Sequence, residues 1–375
     1  MAEVELRRVT KRYGETIAVS DLSFIVQSGE LLVLLGPPGA GKSSTLKMVA
    51  GVEDVTSGEI LIDGEVVNYL DPADRDVAMA FETYALYPHL SVFENIAFPL
   101  RSPRRARLFS EDEVRRRVLE VARFLEIDML LARKPKELSG GQRQRVSLAR
   151  CLIREPKVFL LDEPIAHLDA KLRHKLRREL KIWQKTRSVT TLYTTTDYLE
   201  AFSLGDRIAV LNRGMLQQIG TWNEIYDCPA NTFVGMVVSD PPMNYFDGQV
   251  HSRGGEIGMI VKDVFFLLSP SVRDKLQKAS LGKDFILGVF PSKILLQGEG
   301  EAKDSLGTVV EGVAEFVELR GARKIVFVQV PQGLSFTLQL PLEASVRLGE
   351  TLKCFFPAEA LHVFDKESRR NVLFL

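Results

Sequence analysis

A solid aliphatic run, a glycine-rich loop and an amphipathic stripe follow one another without a break near the start of this chain. Leu31 to Leu35 has the texture of a strand buried on both faces, and it leads into Gly36-Pro37-Pro38-Gly39-Ala40-Gly41-Lys42-Ser43-Ser44. Leu46, Val49 and Ala50 then recur at helical spacing. The loop satisfies G-x-x-x-x-G-K-[ST] through Gly36, Gly41, Lys42 and Ser43. In that setting consecutive backbone N–H groups and a helix N-terminus can surround the β-phosphate of a nucleotide such as ATP. Lys42 adds a cation, and the Ser43 hydroxyl can ligate Mg²⁺.

A second signal is Val158-Phe159-Leu160-Leu161-Asp162-Glu163, an apolar strand ending in two carboxylates. In phosphate-binding sites of this kind the first carboxylate holds Mg²⁺ and the second accepts a proton from water attacking the γ-phosphate. Between the two signals lies Leu138-Ser139-Gly140-Gly141-Gln142, opening a helix with Val146, Ala149, Leu152 and Ile153 on one face. This is a second anion-binding helix start, and one nucleotide does not need two.

The rest of the chain divides by texture. Leu22, Phe24 and Val26 alternate as a strand, and apolar residues from Ile60 to Val67 flank Asp63-Gly64, suited to a hairpin turn. From Leu100 a basic stretch (Arg101, Arg104, Arg105, Arg107) reads as a solvated connection. Ser110-Glu111-Asp112-Glu113 then reads as a capping box before Val114, Val118, Val121 and Leu125. Leu172, Leu176, Leu180 and Trp183 form another helical stripe ahead of the strand-like Val189 to Thr194. Beyond about Gly235 short strand-like runs (Ile257–Val261, Phe285–Phe290, Lys324–Val330, Thr351–Phe356) alternate with Gly, Pro and Ser, as in an all-β domain. With 49 basic and 49 acidic residues, no strong field draws the chain to nucleic acid. Three scattered cysteines, Cys151, Cys228 and Cys354, argue against a disulfide framework and fit a reducing, cytosolic setting. No signal segment is visible, and no stretch approaches the about 18 apolar residues that span a bilayer.

The loop at Gly36–Ser44, Leu138 to Gln142 and Asp162-Glu163, in this order, resemble the nucleotide-binding subunits of ABC transporters. Tyr84-Ala85-Leu86-Tyr87-Pro88-His89-Leu90-Ser91, Pro135-Lys136 and Ser239-Asp240-Pro241-Pro242-Met243-Asn244 are similar to the ATPases of maltose-type carbohydrate importers. The resemblance implies an α/β P-loop ATPase domain over 1–235, with a mixed sheet core, an antiparallel β subdomain and a helical subdomain over about 83–155. A small all-β OB-like (TOBE-type) domain is expected over 236–375. It also implies head-to-tail dimers in which Ser139, Gly140, Gly141 and Gln142 close the partner's ATP site in trans. Tyr13 would stack on adenine, and Ala85 to His89 would face the membrane subunits. The expected partners are ATP with Mg²⁺ (Ser43, Asp162 and the residue at 82), a second ATPase subunit, two membrane-spanning permease subunits and, indirectly, an extracytoplasmic solute-binding protein. The expected location is the cytoplasmic face of the bacterial inner membrane.

Three positions depart from the family pattern. Where the family has a Gln that reaches Mg²⁺ and the attacking water stands Glu82, and where it has a His after the strand ending Thr194-Thr195 stands Thr196. Ala166-His167-Leu168-Asp169 replaces the usual Ser-Asn-Leu-Asp of the loop that crosses the dimer interface. The expectation is an importer ATPase subunit, the catalytically weakened half of a heteromeric pair, whose own site binds ATP and hydrolyses it poorly. A homodimeric importer ATPase with slowed turnover and a non-hydrolytic ATP-dependent regulatory clamp remain as alternatives.

Overall fold

Alternation of apolar and polar residues sets the first layer. β1 (Val4–Tyr13) buries Val4, Leu6 and Val9 and pairs antiparallel with β2 (Thr16–Val26), where Leu22, Phe24 and Val26 point inward. The uniformly apolar β3 (Leu31–Leu35) is wholly buried and runs through the glycine loop into α1 (Lys42–Ala50). β4 (Ser57–Ile62) and β5 (Glu65–Val66) form the expected hairpin, with Asp63 and Gly64 at φ 54° and 78°. β6 (Val77–Ala80) precedes the helices α2 (Val92–Ala97), α3 (Glu111–Phe124) and α4 (Gly140–Leu152). β7 (Val158–Asp162), α5 (Ala170–Arg187), β8 (Thr190–Thr195), α6 (Tyr198–Leu204), β9 (Arg207–Asn212) and β10 (Met215–Gly220) follow.

This computed structural model describes residues 2–102, 108–276, 282–297 and 306–374. The chain separates into two compact units, Met1–Trp222 and Asn223–Leu375. In the first, a four-stranded antiparallel sheet (β2-β1-β4-β5) accompanies a six-stranded mixed sheet, β10-β9-β3-β8-β7-β6. β6, β7, β8, β3 and β9 are parallel, and β10 closes the edge antiparallel. β3 and β7 both flank β8, so the glycine loop after β3 and the two carboxylates at the end of β7 emerge at the same carboxyl edge. Open parallel sheets bind their ligands along that edge. Among the described residues, no helix is long and apolar enough to cross a membrane.

One local expectation changes. Ser110 does cap α3, its hydroxyl accepting from Glu113 N–H at 3.2 Å, but the Glu113 carboxylate does not return to the cap. It lies along the helix, accepting from Arg116 and Arg117 at 2.7 Å, because two guanidinium donors one turn away compete better than one backbone N–H. Of the basic stretch, Arg101 donates to Glu111 at 3.1 Å; Arg104, Arg105 and Arg107 lie outside the described residues.

The second unit is built on two five-stranded antiparallel sheets of OB-like type sharing one core. Phe356 meets Phe266 and Phe336 edge-on, with ring centroids 5.2 and 5.0 Å away, and so joins the sheets. A helix, Pro270–Leu276, adds to the expected strands, burying Val272 and Leu276. The division after Trp222 comes earlier than the change of sequence texture near 235. The intervening residues are tied to the β unit: Tyr226 stacks on Phe290 at 4.3 Å, Asn371 Nδ2 donates to the Pro229 carbonyl at 3.0 Å, and Tyr245 OH donates to that of Thr232 at 2.6 Å.

His362 is buried in this second unit, 5.9 Å edge-on from Phe290. Burial pushes its imidazole down to about 4, against the opposing pull of Asp227. An unfolded histidine titrates near 6.5, so between about 4 and 6.5 the unfolded chain binds the extra proton. The neutral ring's contribution is complete above that window and is lost as pH falls through it. The opening free energy of strand Leu361–Asp365, read by hydrogen exchange, should therefore fall by up to about 1.4 kcal/mol per pH unit below pH ~6.5. His362→Leu should flatten that slope; an unchanged slope would contradict the assignment.

Candidate functional site

The glycine loop is shaped by what a side chain would strike. A Cβ at Gly36 would lie 2.3 Å from the Leu211 carbonyl oxygen, and one at Gly41 2.6 Å from that of Ala18. Gly41 also holds φ 95°, a backbone region that L side chains avoid. The loop is held at its base, with Ala40 N–H donating to the Pro37 carbonyl at 3.1 Å and Gly214 N–H to that of Ala40 at 3.1 Å. Lys42 opens α1 and is buried. Its Nζ donates to the carbonyls of Gly36 at 2.8 Å and Pro37 at 3.1 Å and stands 3.6 Å from Glu163 Oε1. Burial lowers the Lys42 pKa, opposed by the charges of Glu163, Asp162 and Glu82.

Asp162 ends β7, and its Oδ1 accepts from two hydroxyls, Ser43 at 2.9 Å and Thr194 at 2.7 Å. The Thr194 oxygen in turn accepts from Glu163 N–H at 3.1 Å. Glu163 sits at φ 44°, a left-handed backbone for a residue with a side chain, over-determined here by bonds on both of its backbone groups. Burial raises the Glu163 carboxyl pKa, Lys42 pulls it back, and the charges of Glu82 and Asp162 raise it further. The side chains of Lys42, Ser43, Asp162 and Glu163 therefore converge on the loop, and Glu82 adds a negative charge that both Lys42 and Glu163 feel.

The oxygen set suits Mg²⁺. A serine hydroxyl and a carboxylate 2.9 Å apart at the start of α1 are hard donors, and magnesium prefers a few such groups completed by water and phosphate oxygens. Among the described residues no cluster of three or more His, Cys, Asp or Glu could hold a metal ion.

The second helix start is built as a complete capping box. Ser139 Oγ accepts from Gln142 N–H at 3.3 Å, and Gln142 Oε1 accepts from Ser139 N–H at 2.9 Å. A Cβ at Gly141 would press on Leu168 at 3.2 Å and on the His167 carbonyl oxygen at 3.3 Å, so the loop through His167 packs against the start of α4. His167 meets Tyr84 edge-on at 6.0 Å. The segment after Tyr84 is fastened by buried Asn95, which accepts from Tyr87 N–H at 2.8 Å and donates to the carbonyls of Tyr87 at 3.1 Å and Ser91 at 2.9 Å. Thr196 is exposed on the turn after β8, and Tyr13 is 42% exposed at the end of β1, its ring 4.9 Å from Lys11 Nζ.

Two further residues shape the site without a strong signal in the sequence. Thr194 lies inside a threonine-rich strand, where hydroxyls are common. Gln144 lies buried on α4, its Nε2 donating to the Glu163 carbonyl at 2.8 Å and its Oε1 accepting from His167 N–H at 3.0 Å. A polar residue on the apolar side of a helix was the available signal, since buried polar groups are nearly always bonded.

Residues 19–166 match the family model described as ABC transporter. Over 99% of its length the chain is 42% identical to the trehalose/maltose import ATP-binding protein MalK of Thermococcus litoralis, covering 100% of that protein. It is 40% identical to the sn-glycerol-3-phosphate import ATP-binding protein UgpC 3 of Agrobacterium fabrum, over 99% of this chain and 100% of that one. It is 39% identical to the trehalose import ATP-binding protein SugC of Mycobacterium tuberculosis, over 99% and 98% respectively. Among solved structures, the dimeric ATP-binding cassette MJ0796 in a post-hydrolysis state with ADP and Pi superposes with a TM-score of 0.54 at 31% identity. The match covers 58% of this chain and 98% of that one.

Gln144→Leu keeps the volume and leaves the His167 N–H without its acceptor. The first unit should lose about 0.5–1.5 kcal/mol of stability per bond lost, as expected for the two partly buried bonds that Gln144 makes to the His167 N–H and the Glu163 carbonyl. Denaturant unfolding followed by Trp183 fluorescence measures it; an unshifted midpoint would show that the bond carries nothing.

Proposed function

Because the chain belongs to the ATP-binding subunits of ABC transporters, we propose that it powers import of a carbohydrate-type solute as the weakly hydrolysing half of a heteromeric ATPase pair. What supports the reading is an intact set of Lys42, Ser43, Asp162 and Glu163 beside two changed positions, Glu82 and Thr196. The names of similar proteins, importers of trehalose, maltose and sn-glycerol-3-phosphate, support the solute class.

In this reading the backbone N–H groups from Gly39 to Ser44, beyond the two prolines, and the Lys42 ammonium hold the β- and γ-phosphates of ATP. Tyr13, exposed at the strand end, stacks on the adenine. Ser43, Asp162 and Glu82 would hold Mg²⁺, which would neutralise charge on the phosphate oxygens. Glu163 orients the attacking water and accepts its proton, a role served by a carboxyl whose pKa is raised toward the working pH. Glu82 then places a carboxylate where an amide would orient water, repelling the γ-phosphate. Thr196 offers a short hydroxyl where an imidazole would reach it. Each lost donor of this kind costs about 10²–10³ in rate.

Ser139, Gly140, Gly141 and Gln142 act on the other subunit. The capped start of α4 presents N–H groups and the positive end of its dipole to the γ-phosphate of ATP held by the partner ATPase. The Ala85–His89 segment docks against two permease subunits, which hold the protein at the cytoplasmic face of the inner membrane and receive solute from an extracytoplasmic binding protein.

In the assembled transporter, Ser139→Ala in this chain should lower steady-state ATP turnover more than Glu163→Gln, since Ser139 serves the competent site and Glu163 the weak one. Purification with the permeases should also recover a second, different ATPase chain. A larger loss with Glu163→Gln, or recovery of this ATPase alone, would contradict the reading.

A further inference from the structure

Thr194 is fully buried in β8, directly opposite Asp162 in the parallel ladder with β7 and opposite Leu34 in the ladder with β3. A threonine hydroxyl has one proton to give and two lone pairs to share. The proton goes to Asp162 Oδ1 at 2.7 Å, and one lone pair accepts Glu163 N–H at 3.1 Å. Ser43 Oγ donates to the same Oδ1 at 2.9 Å. A hydroxyl buried merely for packing would be satisfied by any nearby carbonyl. This one spends both bonds on consecutive acidic residues at the nucleotide loop.

We infer that Thr194 is a positioning residue for the metal–nucleotide complex. Its hydroxyl fixes the Asp162 carboxylate with Oδ1 toward Ser43, and it anchors the left-handed backbone of Glu163. The consequence follows from the direction of the Ser43 bond. While Ser43 donates its proton to Oδ1, its lone pairs are turned away from Asp162 and are available to a cation. A carboxylate free to rotate would no longer hold that orientation. Partners one bond removed from a metal's ligands, when mutated, typically change metal affinity 10–100-fold. The inference rests on the nucleotide reading above and goes beyond it, because it separates magnesium-dependent from magnesium-independent binding.

The test is calorimetric binding of ATP to the full chain, once with EDTA and once across a Mg²⁺ titration. Thr194→Val keeps the shape and loses the hydroxyl. It should bind ATP in EDTA as the wild type does, while the Mg²⁺ concentration giving half of the magnesium-dependent gain rises about 10–100-fold. Thr194→Ser, which keeps the hydroxyl, should restore the wild-type Mg²⁺ response. Thr194→Ala, lacking the hydroxyl without the crowding of a second methyl, should repeat the valine result if the valine protein folds poorly. An unchanged Mg²⁺ response in both hydroxyl-free variants would overturn the inference and leave the nucleotide reading intact. An equal loss in EDTA and in Mg²⁺ would overturn it too, by showing a general defect of the loop. Absence of any ATP binding by the wild type would remove the nucleotide reading and this inference with it.

Discussion

A buried carboxylate is expensive unless its oxygens are bonded, and Asp162 resolves that cost with two hydroxyls from two different elements. Ser43 comes from the first turn of α1 and Thr194 from the end of β8, so one oxygen atom ties the phosphate loop to the middle of the mixed sheet. The arrangement depends on β8 lying between β3 and β7 and parallel to both, which brings their carboxyl ends into register. The next residue inherits the constraint. Glu163 takes a left-handed backbone, with Thr194 receiving its N–H and Gln144 donating to its carbonyl, and its carboxylate is directed toward Lys42.

The electrostatics of the site follow from that crowding. Lys42 is a buried cation with Glu163 at 3.6 Å and the charges of Asp162 and Glu82 near enough to act on it. Burial nevertheless dominates both partners, lowering the lysine and raising the glutamate, as expected where desolvation exceeds the attraction of a single pair. Glu82, exposed on the turn after β6, adds the smallest of the three negative charges that act on Lys42.

Much of this was legible because local chemistry fixes it. The G-x-x-x-x-G-K-[ST] spacing between an aliphatic strand and a helix, the strand ending in Asp162-Glu163, the Asp63-Gly64 hairpin and the helix start after Leu138 are each decided within a few residues. What escaped depends on neighbours distant in sequence. Thr194 and Asp162 meet only through the β7–β8 register, and Gln144 finds Glu163 and His167 through the packing of α4 against the loop after β7. The Glu113 cap failed for a local reason instead, since Arg116 and Arg117, one turn further on, claim the carboxylate. The change of texture near 235 likewise misses that Tyr226 and Pro229 are bound by residues far downstream, Phe290 and Asn371.

On the function proposed above, this chain's own loop lacks only the groups that a glutamine at 82 and a histidine at 196 would supply. That deficit is tested most directly by single-turnover hydrolysis of ATP at that loop, in the assembled transporter with the partner's catalytic carboxylate replaced. The double change Glu82→Gln with Thr196→His should raise the rate by more than the product of the single effects, because both groups organise the same water and γ-phosphate. If the double variant binds ATP and its hydrolysis stays at background, the two side chains are not the deficit. The fault would then lie in how the partner meets the loop through Ala166 and His167, contradicting the proposed deficit at 82 and 196.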